Sequence, residues 1–72
     1  MNIVFILGVG PVPAVRAHEL RPKDRIVLDG GHRYTVVLVE RSGRWVSVGL
    51  RDHAGRLSVM RKREDAQVGL AV

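Results

Sequence analysis

Three histidines, three serines and an adjacent Glu-Asp pair are the obvious candidates for chemistry in this 72-residue chain. His18, His32 and His53 stand 14 and 21 positions apart, and the chain has no cysteine. Metal sites are built from closely spaced pairs of such ligands, so these read as solvated histidines and no metal is expected. Nucleophilic catalysis needs a nucleophile, a base and an orienting group. Ser42 falls in a turn, and Ser47 and Ser58 fall on strands, without that constellation around them. Glu64 and Asp65 are neighbours in what reads as a helical turn, so their carboxylates point apart. They suit capping that turn, or pairing with Arg61 or Arg63. Gly8-Val9-Gly10 is too short for a dinucleotide fingerprint, and Pro11 stands where the helix should start. No enzyme activity, cofactor or small-molecule substrate is expected.

A basic aromatic set remains. Tyr34 and Trp45 offer rings on which bases could stack. Arg44, Arg51, Arg56 and Lys62 could neutralise phosphates. The net charge of +5 points the same way, towards a polyanionic partner or surface. Arginine supplies most of that charge in a chain also rich in Gly, Ala and Pro, a usage typical of GC-rich genomes. The preference for Arg over Lys is therefore not itself a sign of nucleic-acid binding.

These side chains must be held by strands. Residues 33–41 (RYTVVLVER), 44–52 (RWVSVGLRD) and 56–62 (RLSVMRK) alternate with period two and are separated by turn residues. Taking Ser42-Gly43 as a two-residue loop sets Val39 opposite Val46 and Val37 opposite Val48. Taking residues 52–55 as a four-residue loop sets Leu50 opposite Leu57 and Val48 opposite Val59. Both turns then place one continuous apolar face on the core side. The expected core is Ile26, Leu28, Val37, Val39, Val46, Val48, Leu50, Leu57, Val59 and Val68. The other face would gather Tyr34, Leu38, Trp45, Arg51, Arg56, Met60 and Lys62, with Arg44 beside them. That face is too apolar for plain solvent exposure, so a partner or another chain segment should cover it.

The rest of the chain is shorter in its signals. Residues 1–10 (MNIVFILGVG) form an apolar run without alternation. They read as an internal strand, or as one that adds Ile3, Phe5 and Leu7 to a neighbouring subunit. Pro11 and Pro13 should break regular structure and act as a linker. Short strands are expected at 14–18, 25–28 and 67–72, with a helical turn at 63–66. The run at 3–9 is far short of the roughly 20 residues of a membrane helix, and it lacks the basic n-region of a signal peptide, so no export signal is expected. One domain is expected over 1–72, with an N-terminal strand and Pro linker at 1–13 and a small barrel at 14–72. A chain this short is marginal on its own, and oligomerisation is one way to bury more surface.

The pattern ELRPKDRIVLDGGHRYTVVLVERSG, then WVSVGLRD, then RKREDAQVGL, resembles the SH3-like small barrels over residues 14–70. Lys23-Asp24-Arg25-Ile26-Val27 with Gly30-Gly31 looks like the opening of the KOW-like and translation elongation factor P-like versions. In those a Gly-Asp pair normally stands where this chain has Lys23-Asp24. The resemblance implies an all-β barrel of five or six short antiparallel strands, with a 3₁₀ turn before the last. In size and in Arg/Val/Gly-rich usage the chain is also similar to small accessory proteins of actinobacterial phages. The expected function is a non-enzymatic interaction module, phage or prophage encoded, acting by protein contact or self-assembly in the cytoplasm of a bacterial host. The alternative is a nucleic-acid-binding barrel using the basic aromatic face.

Overall fold

The computed structural model describes residues 2–71. Seven strands follow in chain order: β1 (Asn2–Ile6), β2 (Gly10–Arg16), β3 (Arg25–Leu28), β4 (His32–Ser42), β5 (Trp45–Arg51), β6 (Leu57–Arg63) and β7 (Gln67–Leu70). They form one antiparallel sheet in the order β1-β2-β7-β3-β4-β5-β6, so the chain is all-β as expected. Among the described residues the one helical element is a 3₁₀ turn at Ala17–Glu19, between β2 and β3 rather than before the last strand. Residues 63–66 instead close a single turn, the Ala66 N–H donating to the Arg63 carbonyl at 3.0 Å. Met1 and Val72, the ends of two expected strands, lie outside the described residues.

The sheet curls around one main core. Ile26, Val36, Val46, Val48, Leu50 and Val68 meet Ala17 and Leu20 from the β2–β3 connection. Val15 on β2 and Met60 on β6 pack against the same cluster, so strands from both halves of the sheet share it. Each fully buried aliphatic side chain contributes about 1.5–3 kcal/mol. Five expected core residues are buried here: Ile26, Val46, Val48, Leu50 and Val68. Leu28 and Val39 are half-buried at its margin, and Val37, also half-buried, lies on the other face beside Gly49. Leu57 and Val59 stand in solvent, 73% and 76% exposed.

Two register shifts explain the difference. At the β4–β5 hairpin, Ser42 pairs with Trp45, so Gly43-Arg44 is the loop, with Gly43 at a φ of +60°. Pairing moves by two residues, which keeps every side chain on its expected face. A bulge then falls at Val37, between the pairs Val36–Leu50 and Leu38–Gly49. The extra residue reverses the alternation below it, and Val36 takes the buried place expected of Val37. At the β5–β6 turn, the Asp52 carboxylate accepts the N–H groups of Ala54 and Arg56, both at 2.9 Å. This draws Arg56 into the loop and sets Arg51 opposite Leu57. A slip of one residue inverts a strand, so Ser58, Met60 and Lys62 take the core side of β6.

The N-terminal run is an edge strand, not an internal one. β1 pairs only with β2, and this hairpin folds its Val4, Ile6 and Val12 over Val27 on the far side of β3. Pro11 and Pro13 do not break the chain. They lie in the part of β2 whose one neighbour is β1, before pairing with β7 begins at Ala14, where a missing N–H is tolerated. The hairpin tip is tied down twice. The Leu7 N–H donates to Asp29 Oδ1 at 3.0 Å, and the Gly30 N–H donates to the Leu7 carbonyl at 2.7 Å. Its body rests on Gly69, where an added Cβ would lie 2.8 Å from a Val12 methyl.

The turn before β3 holds Lys23 at a φ of +82°, the left-handed region. Its N–H donates to the Val36 carbonyl at 2.7 Å, and the Val36 N–H donates to the Asp24 carbonyl at 2.8 Å, so the conformation is locked. Left-handed backbone costs a residue with a Cβ about 1–2 kcal/mol, partly offset by the flexibility Gly adds when unfolded. Lys23→Gly should therefore stabilise the fold by roughly 0.5–1 kcal/mol, read as a higher urea midpoint at unchanged slope. An equal or lower midpoint counts against the strain. Gly69→Ala should do the reverse, costing about 1–3 kcal/mol because Val12 and Ile6 must shift. No loss on that substitution would mean that the hairpin does not bear on Gly69.

Candidate interaction surfaces

The outer face of β4, β5 and β6 is built by the corrected registers. Its cross-strand rows are Thr35–Arg51–Leu57, Leu38–Gly49–Val59, Glu40–Ser47–Arg61 and Ser42–Trp45–Arg63. Leu38, Leu57 and Val59 are large apolar side chains left largely in solvent. Gly49 stands between Leu38 and Val59 with no side chain, and Leu38 and Val37 close over it, 3.2 and 3.4 Å from where a Cβ would stand. Trp45 is also exposed, at 40%. The Arg61 guanidinium lies over its ring at 4.6 Å from the centroid, and that of Arg63 at 5.8 Å. Such contacts are worth about 0.5–1 kcal/mol at exposed sites. A base stacking on Trp45 would have to displace Arg61.

The residues expected to share one face are therefore divided. Leu38, Trp45 and Arg51 lie on this outer face. Tyr34, Met60 and Lys62 belong to the opposite side, where Tyr34 and Met60 pack against the main core. Arg44 and Arg56 sit in the β4–β5 and β5–β6 loops. Tyr34 and Trp45 thus do not form one stacking platform. In their place the outer face gains Leu57, Val59, Arg61 and Arg63. The signal that could have found them is Asp52, because an Asp that caps its own loop lengthens the loop.

A second surface covers the outside of the β1–β2 hairpin. Ile3, Phe5, Leu7 and Val9 are all exposed there. Pro13 stands opposite Ile3 and Pro11 opposite Phe5. Residues 2–15 include no charged side chain, so this strip is apolar and uncharged on an edge strand. The three residues expected to support self-association, Ile3, Phe5 and Leu7, stay together on it.

Charge is unevenly answered. Asp29, Glu19, Asp24 and Asp52 each accept a backbone N–H. Among the described residues the one ion pair is Arg41 with Glu64 at 3.4 Å, rather than Glu64 with Arg61 or Arg63. Among the described residues no other cation has an ion-pair partner. No three of His, Cys, Asp and Glu come together as a metal-binding group among these residues. No helix is long and apolar enough to cross a membrane.

The backbone N–H of Arg56, then that of Ala54, together with the charges of His53 and Arg56, holds the Asp52 carboxyl below the ordinary 3.8. A carboxyl lowered on folding stabilises the fold fully above its unfolded pKa and loses that contribution as pH falls through its folded one. Asp52→Asn should lower the urea midpoint by a fixed amount above about pH 5, and the gap to wild type should narrow in acid. A gap independent of pH would show that the charge of Asp52 does not matter to the loop. Comparison of the chain with protein-family models, with curated proteins and with solved structures found no match.

Proposed function

We propose that this chain is a non-enzymatic β module, on an SH3-like plan, that works by protein contact and above all by associating with itself. The observation that carries this reading is the uncharged strip of Ile3 and Phe5 on the edge strand β1, continued by Leu7 and Val9 in the turn that follows it. An edge strand offers unpaired backbone groups, and proteins normally guard such edges with charge. Here the guard is missing over residues 2–15, although the chain as a whole carries +5. Two copies meeting at this strip bury apolar surface without bringing cations together. The exposed apolar patch of Leu38, Leu57 and Val59, beside Arg51 and Arg61 on the same face, suits a second protein contact. The chain's size and residue usage, similar to those of small phage accessory proteins, support a phage or prophage origin and action in the cytoplasm of a bacterial host.

Substitution tests this better than truncation, because Ile6 and Val4 within the same strand are packed against Val27. Wild type should show a light-scattering mass above the 8.0 kDa of one chain. Ile3→Lys with Phe5→Lys should return it to that of a monomer while leaving the circular dichroism unchanged. Equal masses for wild type and variant would remove the proposal. The second reading, a nucleic-acid-binding barrel, is favoured by the cations without carboxylate partners. It would take over if both chains are monomers that bind a single-stranded oligonucleotide steeply weakened by salt, with Trp45→Ala losing roughly 1–3 kcal/mol.

A further inference from the structure

The end of the sheet where β3, β4 and β5 meet carries a cleft that none of the above uses. Arg25, Thr35 and Arg51 form one cross-strand row on the outer face. Arg33 lies two residues before Thr35 on the same side of β4. The three arginines and Thr35 line a cleft of about 190 Å³ together with Tyr34 and His53. Like charges on neighbouring positions of one sheet face repel, so this grouping costs stability unless something answers it. Asp52, the one acid among the described residues that line the cleft, has its Oδ1 occupied by the N–H groups of Ala54 and Arg56. None of the three arginines has an ion-pair partner among the described residues.

We propose that this cleft binds the phosphoryl group of a phosphate monoester. A guanidinium is a planar fork that pairs two N–H groups with two oxygens of an anion. Three forks call for more acceptor oxygens than a carboxylate has, and a terminal phosphoryl group offers three with a charge near −2. Thr35 adds a hydroxyl donor. The cleft is smaller than the roughly 300–1,000 Å³ of sites that enclose whole organic ligands, so it suits a head group. An adjoining hollow of about 390 Å³ shares Arg33, Tyr34, Asp52 and His53 and adds His32 and Gly31, which leaves room for the organic body of the ester. The arginine cleft shares no lining residue with the strip of Ile3, Phe5, Leu7 and Val9, and its test does not depend on self-association.

The test is a titration of the ¹⁵N-labelled full chain at constant ionic strength, followed by amide shifts. Two sources of the group are compared: phenyl phosphate as a free monoester, and a single-stranded oligonucleotide without terminal phosphates, which offers only diesters. Phenyl phosphate should saturate shifts in residues 33–35 and 51–53. Arg33→Gln and Arg51→Gln should each weaken it about tenfold, the scale of one charged hydrogen-bonded pair. Both side chains are exposed, so the fold should persist, as unchanged spectra elsewhere would confirm. Arg41→Gln, roughly 25 Å away along β4, should have no effect. The proposal is overturned by a lack of saturation with phenyl phosphate, by an equal loss in Arg41→Gln, or by binding of the oligonucleotide alone.

Discussion

Side chains alternate strictly across a strand, so a single inserted residue exchanges the core-facing and outward-facing sets from that point on. β4 makes that insertion at Val37, and the arrangement of the molecule depends on it. Below the bulge Val36 points into the core, where its backbone is also held by Lys23 and Asp24 from the turn before β3. Above it Val39 packs at the core margin while Leu38 turns outward. The same insertion leaves Thr35 and Arg33 on the outside next to Arg25, which is what collects the arginines at one end of the sheet.

The middle of the sheet is buried from both sides. On β3, Ile26 faces the main core and Val27 the smaller one under the N-terminal hairpin. On β7, Val68 faces the main core and Gly69 receives the hairpin. A short chain gains buried area in this way, but a two-stranded hairpin has two faces of its own. Packing Val4, Ile6 and Val12 inward leaves Ile3, Phe5 and Leu7 outward. The exposed strip is thus a by-product of how the second core is made.

The strands of the central ribbon and the all-β class were legible from alternation and turn residues alone. The face of β5 was also legible, because Val46, Val48 and Leu50 keep their side whichever hairpin loop is used, provided pairing moves by an even step. The faces of β6 and of half of β4 were not. Both hinge on single-residue insertions, one set by the Asp52 side chain and one by the bulge, and neither alters the alternation within a strand. Proximity across the fold was equally hidden. His32 and His53, distant in sequence and read as isolated, share the lining of one hollow because β4 begins where the β5–β6 loop lies. The N-terminal run misled for a different reason: an unbroken apolar stretch suggests burial on both faces, but here one of its faces has no cover in the single chain.

The two ends of the sheet are unlike. β1 is uncharged, whereas β6 carries the run Arg61-Lys62-Arg63. Contact of like with like, β1 on β1, is completed by a two-fold axis and stops at a pair. Contact of unlike ends, β1 on β6, would leave a free end of each kind after every addition and continue into a ring or a fibre. The basic run on β6 makes that edge a poor acceptor for another strand, so the polarity of the sheet favours an assembly that terminates.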